Sequence, residues 1–169
     1  ITTRNLFYQQ SSGRYANSLK NPDLPFKDGS GSLVGCAPSA KVALLMDLSN
    51  SVFPVKDKYN RAAKDLVNSL AGAGNVEMAM FSFGTNSPRL SSGGNHPDPI
   101  PLTTGKEQVD SIIDAYTSSI VEGGTYTQAR EAGATNWDQG LYTLAQSARI
   151  YDYDIVLMIT DGDPTTWGA

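Results

Sequence analysis

Apolar and polar residues follow two alternating patterns from residue 41 onward. Continuous apolar runs, which are typical of strands buried on both faces of a parallel sheet, occur at 41–47, 75–84 and 154–161. Between these runs, apolar residues at helical spacing predict helices over about 54–74, 105–119 and 135–148. Strands that alternate with helices in this way predict an α/β fold with a mostly parallel sheet and right-handed crossovers.

Each predicted helix has one apolar face. The three faces are formed by Val55, Tyr59, Ala62, Leu66 and Leu70, by Val109, Ile112, Ile113 and Tyr116, and by Trp137, Leu141, Leu144, Ala145 and Ala148. Pro54 suits the first turn of the first helix, and Thr135 stands where the N-cap of the third would be. Residues 98–104 indicate a short edge strand, because their prolines lack the N–H groups that an internal strand needs.

Residues 1–40 differ from the rest because they are polar and irregular, with turn signals at NPDLP and KDGSGS. We interpret them as a lead-in that packs on a single domain formed by residues 41–169. The chain has 169 residues, of which 40% are hydrophobic and 18% are charged. That composition is typical of a globular domain.

The charge balance makes two classes of partner poor candidates. Lys and Arg total 13 against 17 Asp and Glu, a net charge of −4, and no basic run occurs. Binding to nucleic acid or to an anionic membrane is therefore not expected. No apolar stretch approaches the roughly 20 residues needed to span a bilayer, so we expect no membrane insertion in this segment.

Cys36 is the single cysteine of the chain. It excludes a cysteine-rich zinc site and an internal disulfide. It leaves open a buried free thiol or a disulfide to a partner outside these residues.

Three oxygen-bearing side chains follow the first apolar run. Asp47, Ser49 and Ser51 occupy alternate positions, and alternate residues of an extended segment point the same way. Such oxygens suit a hard cation, namely Mg²⁺, Ca²⁺ or Mn²⁺, but the two serines could equally cap the following helix. Asp161 repeats the arrangement of a strand followed by an aspartate, and Thr135 opens a helix after a glycine-rich loop. These positions favour one shared cation site where the strands end.

Taken in order, these segments resemble the von Willebrand factor A domain. DLSNS at 47–51, GATNWDQGL and ITDGDPT are similar to the three parts of that family's metal-ion-dependent adhesion site. The resemblance implies a doubly wound, Rossmann-like sheet with one short antiparallel edge strand, here IPLTT. It also implies three direct cation ligands, Ser49, Ser51 and Thr135, and two residues that act mainly through water, Asp47 and Asp161.

Within that family, GATNWDQGL followed by LMITDGDPT is similar to the tip adhesins of Gram-positive pili. The resemblance implies an extracellular location, at the cell surface or on a wall-anchored pilus, with other pilus subunits as neighbours. It implies adhesion without chemical turnover, in which a Glu or Asp side chain of a host or matrix protein completes the coordination of the cation. The family's fold continues beyond the strand that precedes Asp161, so we expect this chain to be part of a larger protein.

Two alternative assignments concern single residues. Thr125, in EGGTYT, also follows two glycines, but the segment after Thr135 has the better amphipathic helix pattern. Asp163 is interpreted as a turn residue.

Other functions are weighed against adhesion. A Mg²⁺-dependent phosphohydrolase of the haloacid dehalogenase type also places an aspartate after its first strand, but it needs an acid two residues later, where this chain has Ser49. A domain of the same family in a scaffold or chelatase role is a further alternative. Serine hydrolysis is disfavoured, because no G-x-S-x-G segment occurs and the single histidine, His96, is predicted to be a solvated loop residue.

Overall fold

The computed structural model describes residues 39–89, 92–122, 133–162 and 164–165. The predictions for Cys36, Thr125 and Asp163 lie outside these residues, as does nearly all of the lead-in. The predicted division into a lead-in and one domain therefore stays a prediction.

A four-stranded sheet forms the centre of the fold. Its strands are β1 (Ala40–Asp47), β2 (Val76–Phe83), β3 (His96–Pro101) and β4 (Ile155–Ile159), in the order β3-β2-β1-β4. β1 runs parallel to both β2 and β4, whereas β3 runs antiparallel to β2. The prediction of an α/β fold with a mostly parallel sheet is confirmed, and the antiparallel strand lies at its edge.

Three α-helices and one 3₁₀ helix connect the strands. The 3₁₀ helix is Asn50–Val55, and the α-helices are α1 (Lys56–Gly72), α2 (Leu102–Ser118) and α3 (Trp137–Tyr151). Pro54 lies in the 3₁₀ helix and not in the first turn of α1. Residues 102–104, predicted to belong to the edge strand, begin α2 instead. The sequence pattern missed this boundary because the strand's last proline, Pro101, is also a suitable residue to precede a helix.

The predicted N-cap of the third helix was wrong by one residue. Asn136, not Thr135, occupies that position, and its side chain accepts a hydrogen bond from the Gln139 N–H at 3.3 Å. Asparagine is as good an N-cap as threonine or better, so the sequence offered two adjacent candidates. Thr135 therefore does not cap the helix and lies just before it.

The sheet is covered on both faces. One cluster of buried residues joins β1 and β2 to α1 and α2, and the other joins the opposite face of the sheet to α3. The predicted face of α2 is confirmed, since all four of its residues are buried. For α1 the prediction was wrong in detail, because Ala63 and Val67 are buried while Ala62 is exposed.

The predicted face of α3 was wrong in part. Leu141 is 44% exposed, whereas Gly140 and Leu144 are buried against the sheet. A methyl group on Gly140 would lie 3.0 Å from the Phe83 ring and 3.2 Å from Leu45. The helix therefore approaches the sheet through a residue without a side chain, which a search for apolar faces does not find.

Three further features of the fold concern His96, the exposure of β4 and the length of the helices. His96 lies in β3 and is half-buried, so its prediction as a solvated loop residue was wrong; its ring centroid lies 6.3 Å from that of Tyr116. Ile155 and Val156 of β4 are each 45% exposed. In the part of the chain that the structure describes, no helix is long and apolar enough to cross a membrane.

Candidate cation site

The candidate site lies where β1 and β4 end. Asp47 is the last residue of β1, and Asp161 follows two residues after β4. The two strands are parallel neighbours, with Met46 paired to Ile159. Their carboxyl ends therefore meet at one edge of the sheet, which is where ligands bind in open α/β folds.

Asp47 is fully buried and fixes the local turn. One carboxylate oxygen, Oδ1, accepts a hydrogen bond from the Ser49 N–H at 2.9 Å. The other, Oδ2, accepts one from the Thr160 hydroxyl at 2.7 Å. These two bonds tie the chain leaving β1 to the chain leaving β4.

The two serine hydroxyls point toward Asp161. Ser49 Oγ and Ser51 Oγ are 3.0 Å apart, and the Ser51 hydroxyl donates to Asp161 Oδ1 at 2.9 Å. Ser49 occupies the N-cap position of the 3₁₀ helix, but its side chain makes no capping hydrogen bond. The hydroxyls therefore do not behave as expected if the two serines merely cap the next helix.

Among the described residues, no ion pair offsets the charge of the two aspartates of the cluster. Burial raises the pKa of Asp47 and the charge of Asp161 raises it further, against the lowering effect of the Thr160 and Ser49 hydrogen bonds. The ion pairs among the described residues, Lys64–Asp114 and Lys106–Asp110, do not involve either aspartate. A buried carboxylate that lacks a basic partner is costly unless a cation neutralises it.

Tyr59 contacts the last residue of β4. Its hydroxyl donates to the Ile159 carbonyl at 2.8 Å. Burial raises its pKa well above the ordinary value, with a further contribution from Asp47. The tyrosine therefore stays neutral and adds no further negative charge beside the aspartates.

Thr135 is tied by its main chain to the segment that follows β4. It is 4% exposed, its N–H donates to Thr165 Oγ1 at 2.9 Å, and its carbonyl accepts from the Thr165 N–H at 2.8 Å. Within the described part of the chain, its hydroxyl makes no hydrogen bond to the other four predicted ligands. The structure thus joins Asp47, Ser49, Ser51 and Asp161 directly, and joins Thr135 to them through neighbouring segments.

The donor set fits a small, hard cation. Two adjacent ligands on an octahedral ion with metal–oxygen distances of about 2.1 Å are separated by about 3.0 Å, and the oxygens of the two serines predicted to bind directly, Ser49 Oγ and Ser51 Oγ, stand 3.0 Å apart. No group of three or more His, Cys, Asp or Glu residues is found among the described residues. Any cation here would therefore be bound largely by hydroxyl groups, which suits Mg²⁺, Ca²⁺ or Mn²⁺ rather than zinc.

Three supporting residues escaped the sequence analysis. Thr160 and Thr165 make their contacts through hydroxyl groups, and Asn50 through its carboxamide. For Thr160 a signal existed, because it directly follows an apolar strand at the predicted ligand edge. For the other two, only the folded arrangement shows the contact.

Comparison with known proteins gives a fold and no family. No family model matches the chain, and no curated protein matches it. Three solved structures resemble it: the PilB minor pilin from Streptococcus sanguinis, the adhesive tip pilin GBS104 from Group B Streptococcus agalactiae, and the pilus adhesin RrgA from Streptococcus pneumoniae. Their TM-scores are 0.56, 0.54 and 0.57, at 16%, 12% and 13% sequence identity respectively.

The likeness covers most of this chain but only part of each relative. It extends over 78%, 77% and 76% of this chain, and over 32%, 47% and 21% of the respective structures. The chain thus spans less than half the length of the proteins that it resembles. At these identities the likeness establishes a shared fold.

Proposed function

We propose that the chain is a von Willebrand factor A type domain of a pilus adhesin that binds its partner through a cation. Ser49, Ser51 and Thr135 would hold the ion directly, and Asp47 and Asp161 would act mainly through water. Mg²⁺ is the expected ion, with Ca²⁺ or Mn²⁺ as substitutes. The expected partner is a host or matrix protein that presents a Glu or Asp side chain.

The orientation of the two serine hydroxyls carries this proposal. The Ser49 side chain makes no capping hydrogen bond and lies 3.0 Å from Ser51 Oγ, and the Ser51 hydroxyl donates to the carboxylate of Asp161, which follows a different strand. A purely structural turn has no need of this arrangement. Hydroxyl oxygens gathered beside two carboxylates that form no ion pair with the described residues are what a hard cation requires.

Access to solvent separates the roles of the residues. Asp47 and Ser49 are fully buried, whereas Ser51 and Asp161 are exposed. A cation held here is therefore fixed from one side and open on the other. Because neutral hydroxyls leave more positive charge on the ion than carboxylates do, the open side favours an anionic oxygen from a partner.

The solved structures with this fold support the location. Their descriptions name a minor pilin, an adhesive tip pilin and a pilus adhesin. We infer a place on the bacterial surface, within a longer pilus protein whose other parts contact neighbouring subunits. No chemical turnover is required for this role.

Cation binding is tested first by isothermal titration with Mg²⁺ and Mn²⁺. Replacing Ser51 by Ala removes one hydroxyl from the exposed side, so we expect the affinity to fall by about 10-fold or more, as typical for loss of a metal-site partner. Ser111→Ala is the matched control, because its exposed hydroxyl bonds only to the Glu107 carbonyl in α2. Equal affinities for the two variants would contradict the assignment.

Adhesion is tested on a panel of immobilised matrix proteins, namely collagen, fibronectin and laminin. Binding to at least one of them should be abolished by EDTA and restored by added Mg²⁺, and Ser51→Ala should weaken it. Ser111→Ala should bind like the unaltered chain. Binding that survives both EDTA and Ser51→Ala would show that any adhesion does not use the cation.

A further inference from the structure

Asn50, between the two serines predicted as ligands, packs against Gly133 so closely that no Cβ would fit there without a shift. A methyl group placed on Gly133 would lie 2.7 Å from Asn50 Cγ and 3.1 Å from its Oδ1, and still nearer to its Nδ2. Real Cβ atoms essentially never come this close to other atoms. The Asn50 carboxamide therefore packs directly on the main chain of the segment that leads to Thr135.

No hydrogen bond with a described residue explains this placement of Asn50. Its Oδ1 is buried and has no hydrogen-bond partner among the described residues. An unsatisfied buried oxygen lowers stability, so an asparagine kept there needs another reason. The contact with Gly133 offers one, since the carboxamide acts as a spacer between the two segments.

The other sides of the Thr135 segment are fixed independently. The Ala134 N–H donates to Thr85 Oγ1 at 3.2 Å, and the Asn136 N–H donates to the Gly84 carbonyl at 3.0 Å. These bonds tie the segment to the end of β2, while the reciprocal bonds with Thr165 tie it to the loop after β4. On the side toward Ser49 and Ser51, the segment is contacted by the Asn50 carboxamide, which packs against Gly133.

From this geometry we infer that Asn50 is a positioning residue for the cation site. Its carboxamide, packed against Gly133, sets the distance between Thr135 and the pair formed by Ser49 and Ser51. The inference rests on the proposed cation site and deepens it, because the spacing between ligands determines which ion fits. Mg²⁺ requires short and nearly ideal octahedral bonds, whereas Ca²⁺ accepts longer and more variable ones.

The contact predicts a change in ion preference when the spacer is removed. In Asn50→Ala the side chain that packs against Gly133 is lost, so the Thr135 segment can move toward the two serines. We therefore expect Mg²⁺ affinity to fall by about 10-fold and Ca²⁺ affinity to fall clearly less. The ratio of the two dissociation constants, measured by isothermal titration, is the decisive quantity. A role in folding alone would change the melting temperature and leave this ratio unaltered.

A compensating pair of substitutions tests the contact itself. Gly133→Ala should also weaken Mg²⁺ binding, because its methyl group would force the Asn50 carboxamide to shift. In the double variant Asn50→Ala with Gly133→Ala the collision is absent and part of the space is refilled. We therefore expect Mg²⁺ affinity to recover to within about 3-fold of the unaltered chain, a strong departure from additivity. Asn68→Ala and Gly72→Ala are the matched controls, since Asn68 is exposed and a methyl group on Gly72 meets no atom within 4 Å.

The outcomes separate this inference from the proposed function. If the unaltered chain binds neither Mg²⁺ nor Ca²⁺, the cation site itself is wrong and the inference falls with it. If the unaltered chain binds Mg²⁺ but Asn50→Ala keeps the same ion ratio, only the inference is overturned. The same holds if the double variant binds no better than Gly133→Ala alone.

Discussion

The substitution Asp47→Asn should have opposite effects on the metal-free and the metal-bound protein. Asp47 is fully buried, and the structure records no ion pair for it among the described residues. Asparagine has the same shape, and its oxygen can still accept the bond from the Ser49 N–H. Its amide group can donate to Thr160 Oγ1, whose hydroxyl then donates to the Gly162 carbonyl, an existing contact at 3.2 Å.

The direction of the stability change in the metal-free protein follows from the pKa of Asp47. Burial raises the pKa of Asp47 above its ordinary value of 3.8, so the folded state binds the proton more tightly than the unfolded state does. The ionised carboxylate therefore lowers stability at neutral pH, and this loss is removed as the pH falls through the raised pKa. We expect Asp47→Asn to stabilise the metal-free chain by about 1 kcal/mol, or about 2–4 °C in Tm.

The effect of Asp47→Asn on stability reverses when the cation is added. At a Mg²⁺ concentration 100-fold above Kd, binding stabilises the unaltered protein by about 2.7 kcal/mol, which corresponds to a Tm increase of about 5–11 °C for a chain of this size. Asp47→Asn should lose most of that increase because the site has lost one of its two charges. Differential scanning calorimetry with EDTA and with Mg²⁺ measures both effects, and Asp65→Asn, an exposed change in α1, is the control. A variant that is destabilised without metal, yet responds fully to Mg²⁺, would refute the reasoning.

Two further predictions concern packing and pH. Gly140→Ala should destabilise the protein by about 1–3 kcal/mol, because the methyl group would meet the Phe83 ring at 3.0 Å. Gly72→Ala should stabilise the protein by up to about 1 kcal/mol, because its methyl group meets nothing within 4 Å. Denaturant unfolding that ranks the two variants the other way would contradict the packing of α3. Burial raises the pKa of Tyr153 to about 12, so its contribution to stability should be fully present below about pH 10 and lost as the pH rises through 12. Unfolding measured across this range should show a shallower loss for Tyr153→Phe than for the unaltered chain, and identical profiles would show that this tyrosine does not titrate as buried.

The sheet could be predicted from the sequence because its strands are unambiguous. The runs that form β1, β2 and β4 are continuous and apolar, and such runs have few alternatives in a globular α/β chain. Helix faces were harder to predict. α2 buries large residues and was assigned correctly, whereas α3 approaches the sheet through Gly140, which carries no hydrophobic signal.

The candidate site divides in the same way. Asp47, Ser49, Ser51 and Asp161 share a cluster because each follows a strand of known direction, so parallel pairing brings them together. Thr135 was harder to place, since two adjacent residues suit the N-cap and tertiary contacts decide between them. Interactions between distant loops, such as that of Asn50 with Gly133, depend on the folded backbone and leave no pattern in the sequence.

The location of a bound cation tests the central claim most directly. Crystals of the chain grown or soaked with Mn²⁺ allow the ion to be found by its anomalous scattering. The account predicts one peak within about 2.0–2.6 Å of both Ser49 Oγ and Ser51 Oγ, near Asp47 and Asp161. A peak that lies only at other carboxylates, or no peak at a Mn²⁺ concentration well above that needed to saturate a specific site, would contradict it.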